Sequence, residues 1–345
     1  MKKLLLVGSA SIHVLNYYHL ISDFFDEILI ASNENVFGNL PFTEVDFSIR
    51  NPLVIPSNIK KIKSVIKDFK PSVIHVHQAN SVAWLTIKAN EGFKIPLVLT
   101  AWGDDILVHP RQSRILKNMV VHNLLNADYL TSDSLYMAGE MDKLVPNKSL
   151  SVTVANFGID SPLNVPVKEK IIYSNRLHKP MYRVDKIISA FSKFKQTEVG
   201  ADWKLYVAAT GTETDQLKRQ AQQFKFSDDI IFKGWLNAEE NRSCYSKASV
   251  FVSVPDSDAT SVSLLEAMSF GCIPVLSNLP ANLEWVLDGI NGSIVKDLES
   301  DFISPVFNLD FEKVIRMNRE IISERATKTV SREKFINIYR KALNK

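Results

Sequence analysis

Along the chain, short apolar runs rich in β-branched residues alternate with longer stretches in which apolar side chains recur every three to four positions. The short runs at 3–7, 26–31, 72–77, 96–101, 127–131 and 151–155 read as strands, and a second series follows at 170–174, 203–209, 229–233, 249–254, 273–276 and 292–295. Between them, Ile59, Ile62, Val65, Ile66 and Phe69, or Ile187, Ile188, Phe191 and Phe194, mark single faces of helices. The strand runs carry little polar alternation, so both of their faces are buried. Strand, helix, strand in repetition then predicts an α/β fold of parallel sheets covered by helices. At 156–168 turn residues and two prolines interrupt all periodicity. This predicts one domain over 1–160, a linker over 161–168, a second domain over 169–310, and C-terminal helices over 311–345.

Composition supports that division. A chain of 345 residues is long for one compact core, and 46% apolar with 23% charged residues excludes a disordered chain. Only 12 residues are glycine, about half the usual share of roughly 7%, so each is expected where a side chain does not fit. A net charge of +3 without a Lys or Arg tract gives no signal of nucleic-acid binding. Residues 310–345 do hold ten Lys or Arg against five Asp or Glu. That tail, the basic stretch 60–70 and the stretch 111–125 each fit either a solvated helix face or a surface that lies peripherally against anionic membrane. Cys244 and Cys272 lack disulfide or metal-ligand spacing, and the apolar run Leu4–Val7 is too short for a signal peptide. The expected setting is cytoplasmic, at most at the inner face of the cell membrane.

In open parallel sheets, ligands bind beyond the carboxyl ends of the strands, where helix N-termini direct N–H groups outward. The segment 252–275 is the most informative on that ground. A strand ends at Pro255, an acidic, hydroxyl-rich loop follows, and Thr260 or Ser261 is a competent N-cap for a helix through Val262 and Ser263. The free amides there suit a diphosphate. Glu266 lies more than a turn further in, among apolar residues, where a ribose diol would satisfy both of its oxygens.

An acid, seven residues, then Glu266-Ala267-Met268 and Gly271-Cys272-Ile273-Pro274-Val275 resembles the signature of the retaining, nucleotide-sugar-dependent glycosyltransferases of GT-B architecture known as family four, or glycosyl transferases group 1. The first acid is usually Glu and is Asp258 here. The resemblance implies two Rossmann-like domains facing a cleft, with C-terminal helices that can cross back to the N-terminal domain. It implies that Glu266 binds the ribose, that the backbone over Thr260, Ser261, Val262 and Ser263 binds the diphosphate, and that Asp258 lies against the donor sugar. Ser174-Asn175-Arg176-Leu177 resembles the family's Gly-Arg-Leu, making Arg176 the diphosphate cation, with Lys179 or Arg183 as its companion because the following stretch is one residue longer than usual. Gly211, Trp235 and Leu236 match positions near the nucleotide, and Gly8 with Ser9 the loop that approaches the donor phosphates. His13, His77, Trp102 and Asp104 form the acceptor-side candidates. Trp102 stands where many members carry His, so no catalytic histidine is transferred to it.

The implied activity is transfer of a hexose from a nucleoside-diphosphate sugar, UDP-sugar first among them, to a saccharide hydroxyl on a lipid-linked or surface polysaccharide precursor. The nucleotide sugar is substrate; neither a cofactor nor a divalent metal is expected. Asp256-Ser257-Asp258 also imitates the metal-binding Asp-x-Asp of the GT-A architecture, against which the two successive parallel series argue. The rival functions are a non-catalytic two-domain sugar-binding protein and a nucleotide-sugar epimerase.

Overall fold

The computed structural model describes residues 1–165 and 167–344. Pro166, within the predicted linker, and Lys345 lie outside the described residues. The chain forms two units: one of Met1–Gly158 together with the residues from Lys328 onward, the other of Ile159–Thr327.

The sheet of the first unit contains β1 (Lys3–Val7), β2 (Glu27–Ser32), β3 (Phe42–Glu44), β4 (Val73–His77), β5 (Leu97–Thr100), β6 (Tyr129–Ser132) and β7 (Val152–Val154), in the spatial order β3-β2-β1-β4-β5-β6-β7. All pairings are parallel; Leu4 stands beside Ile28 on one side and Val73 on the other. Helices cover both faces, which is why Leu4, Leu5 and Leu6 are all fully buried. One face packs under helices Ile55–Phe69, Ser81–Asn90 and Arg114–Asn126. The other is covered by helix Ile12–Ile21 and by the last helix, Lys328–Leu343, whose Phe335, Ile336, Ile338 and Tyr339 join Leu4, Leu6, Val73 and Val98 in one apolar cluster.

Strand β3 is absent from the sequence reading. It has three residues, follows a proline and is half-exposed at the sheet edge, so it exists only through its pairing with β2. The basic stretch 111–125 is likewise not one helix: Ser113 ends a short turn of helix and caps Arg114–Asn126 by accepting from the Ile115 amide.

A relay of buried hydrogen bonds fixes the last helix to this unit. The Tyr17 and Tyr339 hydroxyls lie 2.7 Å apart, Tyr339 bonds His75 Nδ1 at 2.5 Å, His75 Nε2 bonds Thr100 Oγ1 at 2.6 Å, and Thr100 bonds Thr131 at 2.5 Å. Every member has a partner on each side where it needs one, so burial leaves little unsatisfied polarity.

The second unit contains β8 (Glu169–Ser174), β9 (Lys204–Ala208), β10 (Ile230–Gly234), β11 (Ala248–Ser253), β12 (Ile273–Ser277) and β13 (Ser293–Val295), again all parallel, in the order β10-β9-β8-β11-β12-β13. Helix Val184–Phe194 buries Ile187, Ile188, Phe191 and Phe194 on one face of the sheet, while helix Val262–Ser269 buries Leu264, Leu265 and Met268 in the cluster on the other. In each sheet the strand order reverses once, between β1 and β4 and between β8 and β11. A crevice opens at the carboxyl ends of strands at such reversals. Among the described residues, no helix is long and apolar enough to cross a membrane.

Candidate active site

At the second unit's reversal, β8 delivers Asn175 and Arg176, and β11 delivers the loop Asp256–Ser261. Arg176 is nearly enclosed. Its Nη1 donates to Ser261 Oγ at 2.7 Å, its Nη2 to Asp258 Oδ2 at 2.8 Å, and its guanidinium lies 4.5 Å from the centre of the Tyr182 ring. Ser261 is the N-cap of helix Val262–Ser269 and also accepts from the Leu264 amide. The amides of Val262 and Ser263 therefore lie at a helix start, where no intrahelical acceptor exists, beside a guanidinium; two sources of positive potential converge there. Thr260 is half-buried in the same loop and does not cap the helix.

Glu266 is half-buried in that helix, close enough to the Tyr245 hydroxyl that its charge, added to burial, pushes the ionisation of Tyr245 well above the usual range. The Tyr245 hydroxyl accepts from Asn175 Nδ2 at 2.8 Å, and the same amide group donates to Asn241 Oδ1 at 3.1 Å. Asn241 also accepts from the Tyr173 hydroxyl. Both Asn175 donor hydrogens are thereby used, and its buried Oδ1 is an acceptor without a partner among the described residues. Asn175, Asn241 and Tyr245 escaped the sequence reading because they come from β8 and from helix Ala238–Lys247, about 70 residues apart.

The two companion cations differ. Arg183 occupies a left-handed conformation (φ 50°) before helix Val184–Phe194 and is bound to Asp256 at 3.2 Å and Asp185 at 3.7 Å. Lys179 is exposed and makes no ion pair among the described residues. Asp256 and Asp258 thus face separate arginines, and no group of three His, Cys, Asp or Glu is clustered as a metal centre needs among the described residues.

Gly211 follows β9, and a Cβ there would stand 2.3 Å from the His178 carbonyl oxygen, so only glycine fits. His178, which sequence reasoning passed over, is buried and ties this loop down through Thr214 Oγ1 at 2.9 Å and the Ala208 carbonyl at 3.2 Å. Trp235, directly after β10, is 70% exposed, an unusual place for an indole. Leu236 beside it is half-buried against the core.

The first unit's reversal is built differently. Gly8 ends β1 so close to the next helix that a Cβ would meet Val14 Cγ2 at 2.7 Å, and Ser9 is half-buried after it. His77 ends β4, fully buried, with Tyr17, Phe157 and Trp102 around it at ring-centre distances of 4.6, 5.8 and 5.7 Å. The Trp102 indole N–H donates to His77 Nδ1 at 3.0 Å. Neutral His77 therefore carries its proton on Nε2, which is buried without a partner among the described residues. Burial, reinforced by the proximity of His13, pushes the His77 pKa down to about 3. His13 lies edge-on to Trp102 at 5.4 Å.

Asp104 is exposed, whereas the adjacent Asp105 is buried and receives the amides of Ala79 at 2.6 Å, Gly103 at 2.9 Å and Trp102 at 3.0 Å. Asp105 thereby clamps the loops after β4 and β5 together and fixes where Trp102 stands. Of the Asp104-Asp105 pair, it is the second that organises the site.

Known proteins resemble the chain over most of its length. Residues 159–304 match the family described as glycosyl transferases group 1, and residues 2–134 match glycosyl transferase 4-like. An alpha-monoglucosyldiacylglycerol synthase from Streptococcus pneumoniae is 22% identical over an alignment of 244 positions that covers 63% of this chain and 54% of that protein, so the match spans about half the relative's length. Among solved structures, Anabaena HepE in complex with UDP superposes with a TM-score of 0.80 at 14% identity, covering 99% of this chain and 100% of that one. The lipopolysaccharide outer core galactosyltransferase WaaB does so with a TM-score of 0.74 at 14% identity, covering 98% and 99%. At these identities the superpositions establish a shared fold.

Proposed function

The chain belongs to the glycosyl transferases group 1, the family-four glycosyltransferases of GT-B fold, and from that premise we propose that it is a retaining hexosyltransferase that moves a sugar from a UDP-sugar to a saccharide hydroxyl. The observation that carries the reading is the convergence of Arg176, the start of helix Val262–Ser269 and Glu266 at one strand-order reversal. The first two bind anion and the third binds a diol, and a nucleoside diphosphate presents both.

In this reading the Glu266 carboxylate accepts from the ribose hydroxyls, with Tyr245 and Asn175 behind it. Arg176 and the amides of Val262 and Ser263 receive the diphosphate. Lys179, in no ion pair among the described residues, supplies the second charge, while Arg183 remains committed to Asp256. Trp235 and Leu236 border the base, with Gly211 on the same strand-end surface. These positive groups stabilise negative charge that develops on the leaving phosphate as the sugar–oxygen bond breaks. The departing phosphate oxygen takes the proton of the attacking hydroxyl on the same face, which retains configuration without an enzymatic nucleophile. Asp258 stabilises the positive character of the sugar.

Uracil is supported by the UDP complexes of the structurally similar HepE. A lipid-linked acceptor is supported by the alpha-monoglucosyldiacylglycerol synthase and the lipopolysaccharide galactosyltransferase, together with the basic helix Ile55–Phe69 and the excess of Lys and Arg over 310–345. On the first unit, Gly8, Ser9, His13, His77, Trp102 and Asp104 contribute to the sugar and acceptor surface, and the protein works at the cytoplasmic face of a membrane. We divide the domains functionally at 161–168, with 169–310 as the donor half and 1–160 as the acceptor half.

Glu266→Gln tests the reading. It should weaken UDP binding at least tenfold by calorimetry with an unchanged circular dichroism spectrum; unchanged affinity would mean that this helix is not the ribose site. Consumption of UDP-sugar that needs no saccharide acceptor and yields an isomeric sugar would favour epimerisation instead.

A further inference from the structure

The guanidinium proposed to grip the diphosphate already holds an anion. Arg176 and Asp258 pair at 2.8 Å with side chains only 10% and 19% exposed, so both charges are largely removed from water. Leaving either alone in that setting is costly, far more than for a surface pair. The pair is also half of a seam. Arg183 bonds Asp256 at 3.2 Å, the Asp256 amide donates to the Met181 carbonyl at 2.9 Å, and Arg176 donates to Ser261 at 2.7 Å. Two Arg–Asp pairs thus stitch the loop after β8 to the loop after β11, each carboxylate of the Asp256-Ser257-Asp258 triplet serving a different arginine.

The partners of Arg176 are not equivalent toward a ligand. Ser261 and Tyr182 are neutral, and a phosphate can share the guanidinium with both. Asp258 competes for the same positive charge. We infer that Asp258 is the resting counter-ion of Arg176 and releases it to the diphosphate when nucleotide binds, so that one carboxylate serves first as a stand-in anion and then at the sugar. The exchange swaps ion-pair partners and makes or breaks no covalent bond. The Arg183–Asp256 pair remains closed, so the loops stay aligned while Arg176 changes hands. This role rests on the proposed UDP-sugar site and adds to it a step that opposes donor binding.

The sign of one substitution decides the matter. If Asp258 competes with the ligand, Asp258→Asn removes the competitor, and calorimetric titration should show UDP and inorganic pyrophosphate each binding about tenfold more tightly, the scale of one charge-assisted hydrogen bond. Asp258→Ser, which removes the charge with a smaller group, should agree and serves if the Asn variant fails to fold. Steady-state kinetics on the Asn variant should show a lower donor KM together with a lower kcat, a split that a purely structural residue does not give. Equal or weaker binding of both anions in both variants overturns the inference, since Asp258 would then position Arg176 and not compete for it. Absence of pyrophosphate binding in every form does so too. Tighter pyrophosphate binding combined with no UDP binding by the unaltered protein would leave the exchange standing and remove the nucleotide site instead.

Discussion

At the ends of β1, β4 and β5 the polar groups are enclosed: neutral His77 among aromatic rings, neutral His75 in a relay of hydroxyls, and Asp105 surrounded by amides. At the ends of β8 and β11 they are ionic and partly open: Arg176 with Asp258, Arg183 with Asp256, Lys179 in no ion pair among the described residues, and Glu266 on a helix. Both regions occupy the strand-order reversal of a parallel sheet, so topology supplies the location in each case and side chains decide what is recognised. A neutral donor buried among rings suits uncharged hydroxyls, and clustered cations at a helix start suit phosphate.

The largest effect should come from breaking the ionic region. Arg176→Ala removes a group aimed at developing charge and should lower kcat/KM by about 10²- to 10³-fold, measured well below the thermal midpoint, which the stranded Asp258 also lowers. A loss under threefold would place the decisive cation elsewhere, with Lys179 next to examine. The neutral region should answer the opposite way. Tyr339→Phe strands the Tyr17 hydroxyl and His75 Nδ1 and should cost about 2 kcal/mol in urea unfolding, while UDP affinity stays within twofold. If that variant lost nucleotide affinity as well, the contrast between the regions would fail.

The last contrast concerns pH and separates the regions by protonation. Burial lowers the pKa of His75 and His77, the latter to about 3, against about 6.5 in the unfolded chain. Between those values the unfolded chain binds more protons, so stability rises with pH from about 3 to about 6.5 and levels off above. Denaturant midpoints measured from pH 8 down to pH 5 should therefore fall below about 6.5, by at most ~1.4 kcal/mol per pH unit for each histidine. A level profile would mean that these imidazoles take up protons in place.

Much of this was legible in one dimension. Strand runs such as Leu4–Val7 and the 249–254 stretch declare themselves because burial on both faces leaves no room for polar residues, and Ser261 with Glu266 sits within a single turn-and-helix segment whose spacing is local. What escaped depends on pairing across the chain. β3 is a strand only because β2 lies beside it, and the Tyr17–Tyr339 contact joins residues 322 positions apart. Asp105 and Asp104 are indistinguishable as letters, yet only Asp105 meets the Ala79 amide. His178 gives no local signal because its partners are a hydroxyl and a carbonyl on other segments.

The return of helix Lys328–Leu343 to the first unit has a consequence in time. During synthesis the face of the first sheet that includes Leu4, Leu6, Val73 and Val98 waits for Phe335, Ile336, Ile338 and Tyr339 until the whole second unit has been made. At ordinary translation speeds that interval is on the order of ten to thirty seconds, long compared with collapse of a chain this size. Helix Ile12–Ile21 covers only part of that face, so the nascent protein presents a partly uncovered apolar sheet to the cell throughout that delay. A ribosome-bound chain halted before residue 328 should be more sensitive to protease within residues 1–158 than one halted well past residue 345 by an added linker.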